Sequence, residues 1–129
     1  MRDQQREKVY RGERQRFGDA IYTERLSLDQ CRQLAASLYG KRVIVKDGRG
    51  RRNACAFNRS LPTIALPRWA RNEIVVAHEV AHLHTFRAGK DLPAHGSTFM
   101  RKYLNLLLSL GHPQDVEDDA RAFGLKVRR

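Results

Sequence analysis

Residues 78 to 82 read His-Glu-Val-Ala-His, with two histidines four positions apart and a glutamate directly after the first. On an α-helix, residues i and i+4 lie on one face, so both imidazoles can reach one metal ion. Zn²⁺ is the metal that this pair favours, and the glutamate is then placed to act as a general base beside it. The pattern predicts one Zn²⁺ per chain, bound by His78 and His82, with Glu79 as the catalytic residue.

A catalytic zinc ion takes three protein ligands and keeps one position open for water or substrate, so a third ligand is needed. His95 is the strongest candidate, because it lies thirteen residues after His82 at the predicted start of the next helix. Asp91 in the same loop is an alternative, and so are Glu117 and Asp118 further along the chain.

Other residues near the motif limit which class of zinc protease the chain can belong to and which histidines can bind the metal. Thr85 and Ala88 stand where the longer pattern HExxHxxGxxH has its glycine and third histidine, which excludes that class of zinc protease. His84 follows His82 by two positions and is predicted to point away from the metal. The alternative to a metal site is a pair of core histidines with an unrelated glutamate, a group that is costly to bury without a partner or a ligand.

A hydrolase also needs a group that stabilises the negative charge developing on the substrate oxygen. Tyr103, Arg101 and His112 are the candidates, since all three follow the predicted zinc ligands and can donate a hydrogen bond. Each has a simpler interpretation. Tyr103 can pack in the core, Arg101 can be a solvated charge and His112 can cap the end of a helix.

The motif also continues in a way that resembles a known family. His78-Glu79-x-x-His82 is followed by residues 95–99, His-Gly-Ser-Thr-Phe, which matches the HExxH…HGxxF pattern of the SprT-like zinc metalloproteases. With the segments 45–52 and 66–71, most of the chain is similar to a short family of predicted metallohydrolases from actinobacteria and their phages.

The resemblance implies a zincin-like α+β fold, zinc bound by His78, His82 and His95, and Glu79 as the catalytic base. It also implies a bacterium or a phage-infected host cell as the setting. Larger SprT-like proteins carry additional zinc-ribbon or DNA-binding modules, and the two cysteines of this chain cannot build a four-cysteine ribbon. The DNA-linked role of those proteins therefore does not transfer with the motif.

The elements that must position these residues are predicted from periodicity and turn signals. Ser27-x-x-Gln30 is a capping box and opens a helix over about 28–39. A β-hairpin is expected within residues 41–59, turning at Asp47-Gly48, with a third strand over 63–66 at the sheet edge because prolines flank it. A long buried helix from Trp69 to about Phe86 then carries the motif, and helices over about 97–110 and 113–123 follow.

These elements predict an α+β fold, in which a small antiparallel three-stranded sheet packs on a central HExxH helix with further helices toward the C-terminus. Residues 1–18 mix both charge signs with few apolar side chains and are expected to form a mobile or loosely docked arm. Residues 19–129 are expected to form a single metallopeptidase domain, since 129 residues suffice for one ordinary domain.

Basic residues outnumber acidic ones, 25 to 14, which gives a formal net charge of +11. The excess is local, because residues 41–59 hold seven basic groups and one acidic group, net +6. Such a charge attracts polyanions, and the basic hairpin makes nucleic acid a candidate partner through Arg49, Arg51 and Arg52. An acidic protein partner and simple solubility are the alternatives.

The N-terminal fifteen residues contain no apolar segment of the kind that directs secretion, and Cys31 and Cys55 can form at most one disulfide. The longest apolar runs are far shorter than the roughly 20 residues that a membrane span requires. These features predict a cytoplasmic, monomeric protein that is not inserted in a membrane.

The sequence therefore predicts a zinc-dependent metallopeptidase that cleaves a protein or peptide substrate with an activated water, with DNA-associated or regulatory proteins as candidate targets. The alternative is a non-catalytic, zinc-containing nucleic-acid-binding protein or phage structural or accessory protein. A hydrolase of non-peptide amides would use the same residues.

Overall fold

The computed structural model describes residues 3–129, and within this range the chain forms five α-helices and one three-stranded mixed sheet. The helices are α1 (Arg6–Thr23), α2 (Leu28–Tyr39), α3 (Glu73–Ala88), α4 (Ser97–Ser109) and α5 (Asp115–Ala122). The strands are β1 (Ile44–Asp47), β2 (Cys55–Phe57) and β3 (Thr63–Leu66), and a single turn of 3₁₀ helix spans Arg68–Ala70. The α+β class predicted from the sequence is confirmed.

Helix α2 begins and ends where local sequence signals place it. The Ser27 hydroxyl accepts a hydrogen bond from the Gln30 N–H at 3.0 Å, and the Gln30 side chain accepts one from the Ser27 N–H at 2.8 Å. Gly40 ends the helix with a φ of +83°, a left-handed conformation that glycine adopts without strain. The prediction of a helix over residues 28–39 is confirmed.

The order of the strands differs from the prediction, because β3 lies between β1 and β2. β1 runs parallel to β3 with Ile44 opposite Thr63, and β2 runs antiparallel to β3 with Cys55 opposite Ala65. The expected antiparallel sheet and the expected hairpin within 41–59 are therefore wrong.

Gly48 explains why the Asp-Gly pair does not form a hairpin turn. Its N–H donates to the Leu66 carbonyl at 3.0 Å, so the chain continues alongside β3 instead of turning back. A Cβ atom at position 48 would lie 2.4 Å from the backbone nitrogen of Pro67, a distance that no side chain tolerates. The glycine is required by close approach to a neighbouring strand, and the chain turns later, at Gly50, whose φ is +83°.

The predicted edge position of β3 is also wrong. All four of its residues are buried, as expected for a strand that is paired on both sides. Pro62 and Pro67 lie just outside the strand and so remove no hydrogen bond from it, and the Pro62 carbonyl accepts one from Ile44 at 2.8 Å. The prolines limit the length of the strand and not its place in the sheet.

Residues 6–23 form one continuous helix, α1, that packs against α3, which differs from the expectation of a loosely docked arm over residues 1–18. Val9 and Ile21 are buried, and so is the carboxylate residue Glu13. Few apolar side chains are spread among many charges along this helix, so its hydrophobic periodicity is weak. Residues 1 and 2 of the predicted arm lie outside the described residues.

Helix α3 forms the centre of the fold and contacts α1, α2, α4, β2 and β3. Eleven of its sixteen residues are buried. It begins at Glu73 and not at Trp69, because the Asn72 side chain caps it by accepting a hydrogen bond from the Val75 N–H at 2.9 Å. Residues 78–82 therefore lie in the middle of a buried helix.

Between residues 3 and 129, no helix has the length and apolar character that crossing a membrane requires.

Candidate metal centre

Three buried histidines converge at the centre of the fold. His78 and His82 lie one turn apart on α3, and His95 lies just before α4. Each of them offers a ring nitrogen within 4.8 Å of the other two, and the Nε2 atoms of His78 and His95 are 3.2 Å apart. The three residues are close enough to hold one metal ion.

The Phe99 ring lies against all three imidazoles. Its centroid is 4.6 Å from that of His82 and 5.0 Å from those of His78 and His95. Phe99 is on the first turn of α4, and its ring is fully buried. The aromatic residue of the HGxxF segment thus restricts the orientations that the three rings can adopt.

Two of the histidines are hydrogen-bonded through the nitrogen that faces away from the cluster. His78 Nδ1 lies 2.5 Å from a carboxylate oxygen of Glu13 on α1. His95 Nδ1 lies 2.8 Å from a carboxylate oxygen of Asp3, whose other oxygen accepts the His95 N–H at 3.1 Å. Because a carboxylate only accepts hydrogen bonds, both Nδ1 atoms carry protons and both Nε2 atoms are directed at each other.

Burial controls the charge of the cluster. It lowers the pKa of His82 far below its ordinary value, and the neighbouring charges of His78 and His95 act in the same direction. Burial and His78 also lower the pKa of His95, against the effect of Asp3. For His78, burial opposes the charged form, but the charge and hydrogen bond of Glu13 outweigh it and raise the pKa. His82 and His95 are therefore neutral near pH 7, the form that binds a metal.

This donor set fits Zn²⁺. Nitrogens bound to one tetrahedral zinc at about 2.0–2.1 Å are about 3.3–3.4 Å apart, close to the observed separation of the His78 and His95 Nε2 atoms. Two such nitrogens without a proton or an ion between them would face each other with their lone pairs in a buried site, which is unfavourable. A proton on His78 Nε2 removes that cost for this pair, and a cation among the three imidazoles removes it for the whole cluster.

Glu79 is buried next to the cluster, with 4% of its surface exposed. Burial raises its pKa to about 7, and repulsion from Glu13 adds to this effect while His78 opposes it. A carboxyl group with a pKa near neutrality is suited to accept and return a proton. Glu79 thus places a buried carboxyl group at the position for which the motif predicts a general base.

A cavity of about 340 Å³ leads from the surface to Glu79 and His78. Residues of α1, of the segment before β2 and of the 3₁₀ turn line it, among them Arg6, Tyr10, Tyr22, Asn53 and Trp69. Trp69 is 39% exposed, although the sequence analysis placed it at the start of a long buried helix, and its Nε1 donates to the Arg52 carbonyl at 2.8 Å. Trp69 and the exposed Tyr22 thus give the cavity aromatic walls.

The three predicted oxyanion donors do not line this cavity. Arg101 pairs with Glu117 at 2.7 Å, and His112 Nε2 bonds Glu73 at 3.1 Å at the start of α3. Tyr103 packs against His78 with ring centroids 5.5 Å apart, but it is 2% exposed. It lines a different cavity, which lies between α1 and α4. The core interpretation of Tyr103 agrees with the structure.

The alternative metal ligands are also absent from the cluster. Asp91 and Asp118 are exposed, and Glu117 is held by Arg101 and Arg121. In the part of the chain that the structure describes, His78, His82 and His95 are the one group of three potential ligands that lie close enough to share an ion. His84 points elsewhere, with Nε2 3.2 Å from the Leu38 carbonyl of α2.

Tyr10, Glu13 and Asp3 were not identified from the sequence as site residues. Tyr10 stacks on His78 with ring centroids 5.3 Å apart and an interplanar angle of 18°, and it lines the cavity together with Glu79. Burial, with the charges of Glu79 and Glu13, raises its pKa to about 12, so its hydroxyl remains a hydrogen-bond donor. All three precede the motif by more than sixty residues, and no local spacing links them to it.

The predicted nucleic-acid-binding residues Arg49, Arg51 and Arg52 are exposed in the loop between β1 and β2. The guanidinium of Arg51 lies 5.1 Å from the centroid of Phe57, and that of Arg59 lies 4.3 Å from it. Asn53 follows this loop and lines the cavity. The basic loop therefore borders the opening that leads to Glu79.

Comparisons of this chain with protein-family models, curated proteins and solved structures found no match.

Proposed function

We propose that this protein is a zinc-dependent metallopeptidase of zincin-like fold, in which His78, His82 and His95 hold Zn²⁺ and Glu79 is the general base. The observation that carries the proposal is that three buried imidazoles converge beside Glu79, a buried glutamate that lines a cavity. The match of residues 78–99 to the SprT-like pattern supports the same function.

Bound Zn²⁺ supplies Lewis acidity, which makes a water molecule acidic enough to act as a nucleophile near pH 7 and polarises a substrate carbonyl. Glu79 takes one proton from the attacking water while the water oxygen bonds to the carbonyl carbon. It then transfers this proton to the amine as the C–N bond breaks. The Tyr10 hydroxyl, at the wall of the cavity, donates a hydrogen bond to the substrate oxygen as negative charge develops there.

The substrate can bind as an extended peptide along β2. This strand has β3 as its one partner in the described sheet, so its other edge is available for pairing. β2 also packs on α3, and residues 53 and 54 just before it line the cavity that reaches Glu79. Because β3 is central, the edge strand beside the cavity is β2, and a peptide would pair with it.

The decisive experiment measures zinc content and proteolysis in the same preparations. The wild-type chain should contain one zinc and cleave casein in a chelator-sensitive reaction. Glu79→Gln should keep the zinc and lower the cleavage rate by about 10²–10⁴-fold, since it removes the general base. His95→Ala should lose the zinc, and the matched variant His84→Gln should keep both zinc and activity. Stoichiometric zinc without hydrolysis of any peptide, protein or other amide contradicts the proposal.

A second candidate function is non-catalytic nucleic-acid binding with a structural zinc. The exposed loop with Arg49, Arg51 and Arg52 favours it, because a local excess of positive charge attracts a phosphate backbone. It predicts salt-sensitive binding that survives Glu79→Gln. The same loop can instead orient an acidic or DNA-associated protein substrate toward the cavity, in which case nucleic acid should stimulate cleavage.

A further inference from the structure

The N-terminal segment supplies a carboxylate to each of two histidines of the metal centre. Glu13 on α1 accepts a hydrogen bond from His78 Nδ1, and Asp3, just before α1, accepts one from His95 Nδ1. Glu13 is 9% exposed, so its carboxyl group is buried where it contacts the imidazole. The segment that the sequence suggests is an arm thus contacts the site directly.

Each hydrogen bond fixes the ring that it reaches. With the Nδ1 proton held by a carboxylate, the imidazole keeps the tautomer that leaves Nε2 free to bind a cation, and its rotation is restricted. The carboxylate also makes the ring a stronger electron donor. Asp3 adds a second restraint, because it binds the backbone N–H of His95 as well as the ring.

Apolar packing holds α1 only in part. Of its eighteen residues, Val9 and Ile21 are the buried apolar ones. A cavity of about 390 Å³ separates much of the helix from α4 and α5, and its walls include Phe17, Leu104, Val116 and Phe123. Polar contacts therefore add to what holds α1: those of Glu13 and Asp3 with the histidines, and the ion pairs of Arg16 with Asp115 and Asp119 on α5.

We propose that Glu13 and Asp3 are positioning residues that orient His78 and His95 for metal binding, so that metal binding and docking of α1 stabilise each other. This inference rests on the metal centre of the proposed function and does not depend on whether the site cleaves peptides. Coupling of this kind is reciprocal: whatever α1 adds to metal affinity, the bound metal adds to the docking of α1.

The first test compares zinc affinities of the full-length chain by competition with a chromophoric chelator. Glu13→Ala should weaken zinc binding by about 10–100-fold, the usual cost of losing an outer hydrogen bond to a metal ligand. Glu13→Gln should bind with intermediate affinity, because its amide oxygen still accepts the hydrogen bond without the charge. Asp3→Asn should also bind more weakly. Asp19→Asn, which changes an exposed carboxylate of the same helix, should match wild type.

The absorption spectrum of the Co²⁺-substituted chain separates positioning from a merely structural role. A change in the visible bands of Glu13→Gln, but not of Asp19→Asn, indicates altered coordination. A helix that is only less stable would lower the unfolding temperature of the metal-free chain and leave the bands unchanged. Wild-type zinc affinity in Glu13→Ala and Asp3→Asn overturns the proposal.

The second test measures docking of α1 by limited trypsin digestion, for which Arg11, Arg14 and Arg16 are convenient cleavage sites. Zinc should slow cleavage in α1 of the wild type by at least 10-fold, and this protection should be lost in Glu13→Ala. Equal cleavage with and without zinc in the wild type overturns the coupling. If the wild type binds no zinc, this inference and the proposed function both fail. If it binds zinc but hydrolyses nothing, the proposed function alone fails.

Discussion

The Nε2 atoms of His78 and His95 lie 3.2 Å apart, although the two residues are seventeen positions apart in sequence. His78 is in the middle of α3 and His95 is in the loop that leads into α4, so packing of α4 on α3 sets this distance. A metal ion between them would satisfy both nitrogens, and His82, one turn further along α3, would complete the donor set.

Tyr10 provides a test of how the site stabilises negative charge. Tyr10→Phe should lower kcat for peptide hydrolysis by about 10²-fold and leave zinc affinity unchanged, because the phenyl ring can still stack on His78. Steady-state kinetics together with chelator competition measure both quantities. Tyr103→Phe is the matched control and should retain wild-type kcat, since Tyr103 does not line the cavity with Glu79. An equal loss in both variants would contradict the assignment of Tyr10.

The basic loop can be tested by its salt dependence. Replacing Arg49, Arg51 and Arg52 with Gln should weaken binding to a single-stranded oligonucleotide and reduce the slope of log K against log salt by about 2. Fluorescence anisotropy at several salt concentrations gives this slope. A variant with Arg87, Lys90 and Lys126 changed to Gln loses the same charge from other exposed positions. The same slope change in both variants would show that net charge, and not this loop, controls binding.

A substitution at Gly48 tests the parallel pairing of β1 with β3. Gly48→Ala should lower the free energy of unfolding by about 1–3 kcal/mol, because the new Cβ overlaps the backbone of Pro67. Gly18→Ala is the matched control, since Gly18 lies in α1 and no atom beyond the adjacent backbone of that helix lies within 4 Å of its Cβ position. That variant should be more stable than wild type by about 0.5–1 kcal/mol. Urea denaturation measures both changes, and a neutral Gly48→Ala would contradict the observed sheet.

The ion pairs of Glu117 should add to the free energy of unfolding by an amount that depends on pH. Its hydrogen bonds with Arg101 and Arg121 lower its pKa from an ordinary 4.5 to about 2. Because the Glu117 carboxylate takes up a proton less readily in the folded chain than in the unfolded chain, its interactions with the two arginines stabilise the fold above about pH 4.5. The contribution is lost as the pH falls from there toward 2.

Thermal unfolding of Glu117→Gln and wild type at a series of pH values checks this dependence. The variant should unfold at a lower temperature at pH 7, and the difference should disappear as the pH approaches 2. Asp118→Asn, an exposed neighbour on α5, serves as the control and should show a smaller difference. A difference for Glu117→Gln that is constant with pH would contradict the ion-pair explanation.

Much of the fold follows from local sequence signals. The capping box at Ser27 and the glycine at position 40 set both ends of α2, and apolar periodicity predicts the regions of α3 and α4. Such signals work because they involve residues a few positions apart. The four-residue spacing of His78 and His82 is a local signal of this kind. The two-residue spacing of His82 and His84 is another, and the His84 side chain contacts the Leu38 carbonyl instead of the cluster.

The order of the strands and the role of α1 could not be predicted in this way. Asp47-Gly48 has the composition of a hairpin turn, but the glycine is needed because β3 passes close to it. Whether a strand is central or at an edge depends on which distant segment pairs with it. The flanking prolines of β3 are equally compatible with both positions.

The sequence alone predicts that one helix carries two histidines and a glutamate on a spacing suited to a metal, and it indicates His95 as the third histidine. The contacts of Tyr10, Glu13 and Asp3 with those histidines became evident from the packing of the helices, as did the absence of Tyr103, Arg101 and His112 from the cavity that reaches Glu79. The difference lies in the range of the interactions. Helical spacing is set by neighbouring residues, whereas a hydrogen bond from His78 to a carboxylate sixty-five residues away exists only after α1 has packed against α3.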